Sequence, residues 1–247
     1  MNPIDDHLQY LKLAVIAAQH QDLAADAARH RWTYPEFLLR LLEPEVQARR
    51  QRALERRIQA ARFPVRKTLD QYRWDWPKKI NEAQVRQLFG LDFVGKKANA
   101  IFMGGVGLGK SHLATALGYA ACQAGHAVLF TTAINAINQL VAAQAAHRLK
   151  AEIAKYTTPA VLVIDEVGYL PLDKTGADLF FQIVSERYER GSIILTTNKA
   201  YKNWASIFQN DAGIASAILD RLLHQAETVV LEGKSYRMKD RVEDPPL

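Results

Sequence analysis

The chain has 247 residues, of which 49% are hydrophobic and 23% charged, and its formal net charge is +6 at pH 7. This length suits one α/β domain with a small accessory domain. The single cysteine, Cys122, excludes a disulfide framework and a cysteine-based metal site. Neither a signal-peptide pattern nor a run of 18 apolar residues occurs, so we expect a cytoplasmic protein without a membrane segment. The positive charge favours an acidic partner, most commonly nucleic acid.

The amino-terminal quarter of the chain favours helices. Apolar residues recur at helical spacing between residues 7 and 42, which predicts two or three short helices. Thr33, followed by Glu36 three residues later, is typical of a capping box at the start of one of them. Pro44 suits a first helical turn, so we expect a further helix over residues 45–61.

That further helix carries a basic run, in which acidic residues are scarce. The arginines predicted to contact DNA are Arg49, Arg50, Arg52, Arg56 and Arg57. Such a run is either a solvated helix face or a surface that binds phosphates, and the unequal balance of charges favours phosphates. We place a helical amino-terminal domain at residues 1–66, a connector at 67–97 and an α/β domain at 98–247.

The connector contains three aromatic residues, Tyr72, Trp74 and Trp76. Rings near a domain junction either stack on nucleic-acid bases or pack the connector onto the neighbouring domain, and packing is the commoner role. A short helix is predicted to follow at residues 81–88.

A phosphate-binding motif opens the α/β domain, because residues 104–111 match the pattern G-x-x-x-x-G-K-[ST]. Its glycines let backbone N–H groups point at a triphosphate, and its lysine reaches the β- and γ-phosphates. An apolar stretch at 100–103 and a helical pattern after the motif supply the required strand and helix, which a plain glycine-rich turn would not need. The predicted ATP-binding residues are Gly104, Gly105, Val106, Gly107, Leu108, Gly109, Lys110, Ser111 and His112.

Four more apolar stretches predict strands, at 126–131, 160–164, 192–196 and 228–231. Helical patterns separate them, including one long helix predicted at 133–150. This alternation predicts an α/β fold with a doubly wound, five-stranded parallel sheet, whose ligands bind at the carboxyl ends of the strands.

Two adjacent carboxylates, Asp165 and Glu166, stand at such a strand end. We expect Asp165, together with the Ser111 hydroxyl, to hold Mg²⁺, and Glu166 to activate the water that attacks the γ-phosphate. The alternative is a turn or helix cap before Gly168.

Four further polar residues are candidates for the same chemistry. Asn198 ends a strand expected to lie beside the phosphate-loop strand, so its amide could contact the γ-phosphate or the water, although asparagine is also an ordinary turn residue. Arg221 and Arg237 could stabilise charge on the γ-phosphate, often from a neighbouring subunit, or could be surface residues. Arg190 is a weaker candidate for that intersubunit role.

The chain resembles the AAA+ ATPases of the DnaC/IstB group, and within it the IstB family of insertion-sequence transposition helpers. The resemblance rests on residues 104–111 and 161–166, Thr196-Thr197-Asn198, Asp220-Arg221 and Ser235-Tyr236-Arg237. It implies a P-loop AAA+ core after a small all-α domain, with Arg221 as the arginine finger and Arg237 as a second nucleotide sensor. It also implies an ATP-dependent homo-oligomer on duplex DNA that bends the DNA and recruits and stimulates a transposase of the IstA type.

Two features depart from the usual pattern of that group or class. The phosphate loop lacks the prolines common in the group, and the segment after the last strand is too short for the full helical lid of a typical AAA+ protein. Three other functions stay open: a helicase loader of the DnaC type that binds single-stranded DNA, a P-loop kinase acting on a metabolite, and a nucleotide-gated scaffold with negligible turnover. The kinase would need an acceptor pocket and an arginine-bearing lid, which the sequence does not suggest, and Glu166 argues against the scaffold.

Overall fold

The structure is a computed structural model that describes residues 3–77 and 79–236. The chain divides into two compact units between Arg56 and Arg57. This division lies inside a helix and ten residues before the end of the predicted helical domain at residue 66. From Arg57 onwards the helix belongs to the larger unit, where the Arg57 Nε donates a hydrogen bond to the Cys122 carbonyl at 3.0 Å.

Helices α1 (Pro3–Tyr10), α2 (Ala14–His30) and α3 (Tyr34–Ala61) form the amino-terminal part of the chain. Thr33 caps α3 as predicted, because its hydroxyl accepts a hydrogen bond from the Glu36 N–H. The prediction that Pro44 starts a new helix is wrong, since α3 continues through it.

A buried carboxylate next to Pro44 ties two of these helices together. Glu45 accepts hydrogen bonds from the N–H groups of Val15 and Ile16, in the first turn of α2, and from Arg49. The residue before α2 provides no side-chain cap. The Glu45 carboxylate therefore caps the amino end of α2, where the helix dipole favours negative charge. These contacts stabilise the region in which proline removes a helical hydrogen bond.

The larger unit is a parallel α/β sheet with helices on both faces. Two short helices, α4 (Glu82–Leu88) and α5 (Asp92–Gly95), precede the sheet. The sheet elements are β1 (Asn99–Gly104), α6 (Lys110–Gln123), β2 (Val128–Thr132), α7 (Ala133–Ala145), α8 (Leu149–Thr157), β3 (Val161–Val167), α9 (Lys174–Arg187), β4 (Ser192–Thr197), a 3-10 helix (Tyr201–Ile207), α10 (Ala212–Leu223) and β5 (Ala226–Leu231). The five strands pair in parallel in the order β2-β3-β4-β1-β5, which confirms the predicted sheet.

The long helix predicted at 133–150 is instead two helices, α7 and α8. His147 adopts a left-handed backbone conformation (φ 54°), and the Arg148 N–H closes the end of α7 by bonding to the Ala143 carbonyl. The change of direction lets Ile153 and Tyr156 of α8 join the hydrophobic core. An apolar period alone does not reveal such a break, because both helices keep the same spacing.

Among the helices of the described residues, none combines the length and the apolar character needed to cross a membrane.

Candidate nucleotide-binding site

An open cleft of about 620 Å³ lies at the carboxyl ends of the strands, within the larger unit. Its volume is in the range of ordinary ligand pockets. The predicted residues that line it are Gly107, Leu108, Gly109, Lys110, Ser111, His112, Asp165 and Glu166. The motif at 104–111 and the two acids, distant in sequence, therefore meet in one cavity.

The phosphate loop needs glycine at two positions in particular. Gly107 and Gly109 have φ of 75° and 93°, which side chains rarely tolerate. A Cβ atom at Gly109 would lie 2.7 Å from the Tyr72 ring, and one at Gly107 would collide with the Ser235 side chain. These glycines let the backbone adopt the loop conformation between two neighbouring segments.

The motif lysine is buried beside its own loop, with only 4% of its surface exposed. Its Nζ donates a hydrogen bond to the Gly105 carbonyl at 2.6 Å and lies 3.5 Å from the Tyr169 hydroxyl. Binding of a triphosphate would exchange these neutral acceptors for charged phosphate oxygens, which form stronger hydrogen bonds with an ammonium group.

Ser111 and Asp165 meet as expected of a magnesium site. The Ser111 hydroxyl donates to Asp165 Oδ1 at 2.9 Å, and Asp165 is 6% exposed. Hydroxyl and carboxylate oxygens suit Mg²⁺, which is commonly held by one or two protein ligands together with substrate phosphates and water. The part of the chain that the structure describes contains no cluster of three or more His, Cys, Asp or Glu residues suited to a metal. The fit is thus to a nucleotide-dependent metal rather than to an all-protein cage.

The connector forms the opposite wall of the cleft. Tyr72 is buried, its hydroxyl donates to the Leu108 carbonyl at 3.3 Å, and its ring meets the His112 ring edge-on at 5.4 Å. The preferred interpretation of the connector aromatics, packing onto the α/β domain, is confirmed for Tyr72. Burial lowers the pKa of His112 and raises that of Tyr72 to about 12, so both are neutral near pH 7.

Several cleft residues were missed from the sequence because no local motif marks them. Arg66, the last residue of the predicted helical domain, and Lys67 and Arg73 of the connector line the cleft and add positive charge where a triphosphate would bind. The end of the described chain also contacts the phosphate loop, because the Tyr236 N–H donates a hydrogen bond to the Gly107 carbonyl at 2.9 Å. Arg237, the predicted second sensor, lies outside the described residues.

Asn198 follows β4, and β4 pairs with β1, the strand before the phosphate loop, so the predicted adjacency of these strands is confirmed. The Asn198 Oδ1 atom is buried and has no hydrogen-bond partner within residues 3–77 and 79–236. A buried polar atom without a partner is costly, and a ligand or water would satisfy it.

Arg221 lies on the side of the sheet opposite to the cleft, where the strands have their amino ends. It is near the end of α10, where the Leu222 carbonyl accepts a hydrogen bond from Asn99, the first residue of β1. The Arg221 guanidinium contacts the Phe181 ring at 4.9 Å and donates to the Ala217 carbonyl. A six-residue strand spans about 20 Å, so Arg221 does not belong to the cleft of its own chain.

Arg187 is a buried cation at the same edge that sequence reasoning missed. It is 1% exposed and donates to the carbonyls of Tyr156, Pro159, Ala160 and Ser192. Burial lowers its pKa to about 10. Its four contacts join the segments that enter β3 and β4, which is a structural role.

A phosphate loop beside paired acids, on a parallel sheet of this strand order, defines a P-loop nucleotide-binding protein of the AAA+ class. Structural likeness agrees with this fold. The AMPPCP-bound DnaA from Aquifex aeolicus matches 72% of this chain and 53% of its own, with a TM-score of 0.54 and 22% identity. A DnaC helicase loader matches 67% of this chain and 96% of its own, with a TM-score of 0.53 and 22% identity.

Sequence comparison identifies the family. The family model described as IstB-like ATP binding protein matches residues 6–244. The ATP-binding protein of insertion sequence IS21 from Pseudomonas aeruginosa is 40% identical over 241 residues, which are 98% of this chain and 91% of that protein. The chain therefore belongs to the IstB-like ATP-binding protein family, as the motifs predicted.

Proposed function

We propose that this protein is an ATPase that assembles on duplex DNA in its ATP-bound form and there recruits and stimulates a transposase. The observation that carries the proposal is the separation of Arg221 from a nucleotide cleft that is otherwise equipped for hydrolysis. An arginine that lies away from the cleft of its own chain can act on the γ-phosphate bound by a second copy.

Within the cleft, the residues divide the work of hydrolysis. Lys110 and the loop N–H groups would bind the β- and γ-phosphates, and Glu166, whose side chain is exposed, would orient and deprotonate the attacking water. Ser111 and Asp165 would hold Mg²⁺, which when bound neutralises charge on the phosphates. Asn198 is not among the described residues that line the cleft, but it follows the strand beside the phosphate-loop strand, and its unpartnered Oδ1 would accept a hydrogen bond from the attacking water.

Completion in trans requires that Arg221 be presented to a neighbour. Its contacts with the Phe181 ring and the Ala217 carbonyl hold the guanidinium without an acidic partner among the described residues. It can thus pair with the γ-phosphate of the next subunit, where an arginine finger contributes ~10³-fold or more to the rate.

Three of the five predicted DNA contacts are exposed arginines of α3 that form no hydrogen bond or ion pair within the described residues: Arg50, Arg52 and Arg56. Arg49 and Arg57 have internal partners, since Arg49 bonds to Glu45 and to the Lys12 carbonyl and Arg57 to the Cys122 carbonyl. We therefore assign the phosphate contacts first to the three exposed arginines.

Arg52 and Arg56 are one helical turn apart, so they share a face of α3. Log affinity for duplex DNA falls as log salt concentration rises. Replacing both arginines by alanine should make this negative slope shallower by about 1.8, because each phosphate contact contributes about 0.9. Arg29→Ala with Arg31→Ala removes the same charge from the amino-terminal unit and is the matched control. Equal slopes for the two double variants would contradict the assignment.

The rival function is a helicase loader of the DnaC type, which the fold alone does not separate from the proposal. The relative from Pseudomonas aeruginosa is named for an insertion sequence, which supports a transposase as the partner. The basic surface of α3 supports binding to a duplex, whose phosphates are dense.

Binding to a duplex and to a single strand of equal length tests the proposal. At fixed salt we expect tight, cooperative binding to the duplex with ATP, and weak binding with ADP or without nucleotide. Preference for the single strand in the presence of ATP would contradict the transposition helper and favour the loader.

A further inference from the structure

The two acidic residues of the cleft lie in an irregular part of the sheet. The pairing of β3 with β4 shifts between Ile164 and Val167, so that Asp165 and Glu166 stand opposite Thr196 alone. Two residues opposite one is a β-bulge. Glu166 has a φ of 64°, a left-handed conformation that residues other than glycine seldom adopt.

The bulge explains how neighbouring acids serve one cleft. In a regular strand, successive side chains point to opposite faces of the sheet. Here Asp165 and Glu166 both line the nucleotide cleft. The extra residue re-aims one of the two side chains, so the chemistry of the site depends on the bulge being held in this form.

One hydroxyl group bridges both residues of the bulge. Thr196 Oγ1 accepts a hydrogen bond from the Glu166 N–H at 2.9 Å and donates to Asp165 Oδ1. A hydroxyl can do both at once, because it has one hydrogen and two lone pairs. Thr196 is 1% exposed, so these bonds are shielded from bulk solvent.

We propose that Thr196 is a positioning residue that sets the metal-binding acid and the water-activating acid in their places together. Its hydroxyl provides an acceptor for the backbone N–H of Glu166 and fixes the carboxylate of Asp165. Thr196 is buried and is not among the described residues that line the cleft, so it acts through the two acids. The inference rests on the proposed ATPase function, since it concerns how that site is held.

The test compares Thr196→Val, which keeps the shape and removes the hydroxyl, with Thr196→Ser, which keeps the hydroxyl. Thr196→Val should lower the hydrolysis rate by about 10- to 100-fold, the usual effect of removing a group that holds a metal ligand, and leave the affinity for ATP measured without divalent metal almost unchanged. The affinity for Mn²⁺ of the complex with a non-hydrolysable ATP analogue, measured by electron paramagnetic resonance, should fall as well. Thr196→Ser should restore both values.

Thr228→Val is the matched control. It removes a threonine hydroxyl from β5 that shares a hydrogen bond of 2.7 Å with the Tyr201 hydroxyl and bonds to neither acid. It should change thermal stability but not the rate per folded molecule. Wild-type rates and Mn²⁺ affinity in Thr196→Val, losses equal to those of Thr228→Val, or losses that serine does not restore would each overturn the proposal. A wild-type chain that binds ATP without hydrolysing it would contradict the ATPase function, and Mn²⁺ affinity would still decide the role of Thr196.

Discussion

Buried charged residues have different roles at the two ends of the parallel strands, here called the carboxyl edge and the amino edge of the sheet. At the carboxyl edge, Lys110, Asp165 and Glu166 line an open cleft, where Lys110 bonds to the Gly105 carbonyl and Asp165 to the Ser111 hydroxyl. At the amino edge, Arg187 is buried, and its guanidinium donates hydrogen bonds to four backbone carbonyls. Burial of a charge therefore indicates function at one edge and architecture at the other, and the partners distinguish the two.

Arg221 belongs to neither pattern, although it lies beside Arg187 at the amino edge. Its guanidinium is only partly buried, and its described contacts are an aromatic ring and a carbonyl of its own helix. A cation that neither ties segments together nor faces its own cleft is available to another molecule. This contrast is the physical basis for assigning it to the site of a neighbouring subunit.

The largest effect on ATP binding should follow removal of charge at the carboxyl edge. Lys110→Ala should weaken ATP binding at least about 100-fold, because charge-assisted bonds to the phosphates are lost, and ATP-dependent assembly on DNA should disappear with it. Titration with a fluorescent ATP analogue measures the first effect and sedimentation on duplex DNA the second.

Lys97→Ala removes the same charge at the amino edge, where Lys97 lies close to Arg221 and Arg187. It should leave the affinity for ATP unchanged. Full ATP-dependent assembly by Lys110→Ala, or an equal loss of affinity in both variants, would erase the distinction between the edges.

An effect on stability instead of binding is expected at the structural cation. Arg187→Met should lower the free energy of unfolding by about 3–5 kcal/mol, since four carbonyl groups lose a buried charged donor. Urea denaturation followed by circular dichroism measures it. The exposed neighbour Arg190→Met is the control and should change stability by less than about 0.5 kcal/mol. A stable Arg187→Met that loses only hydrolysis would mean that Arg187 acts in the chemistry.

Much of this arrangement follows from local sequence patterns. The phosphate loop, the five strands and the acid pair each occupy a continuous stretch whose spacing reflects one element, so the fold and the principal cleft residues could be predicted. The place of Asn198 followed from the strand order that the motif implies.

The remaining features depend on contacts between distant segments. The hydroxyl of Thr196 matters only because β3 bulges opposite it, and a bulge leaves no mark in an apolar run. Helix α3 continues through Pro44 beside a carboxylate that caps another helix. Arg187 resembles any arginine at a helix end until the carbonyls around it are known.

The most direct test of the central claim is a mixing experiment with two inactive variants. Arg221→Ala should bind ATP normally but hydrolyse it at least about 10³-fold more slowly, and Glu166→Gln should bind without hydrolysis. In an equal mixture on duplex DNA, the intact Arg221 of one variant can complete the intact cleft of the other. We predict recovery of up to about a quarter of the wild-type rate, since half of the subunits keep Glu166 and half of those meet an intact Arg221. A mixture no more active than the two variants separately would contradict completion of the site by a neighbouring subunit.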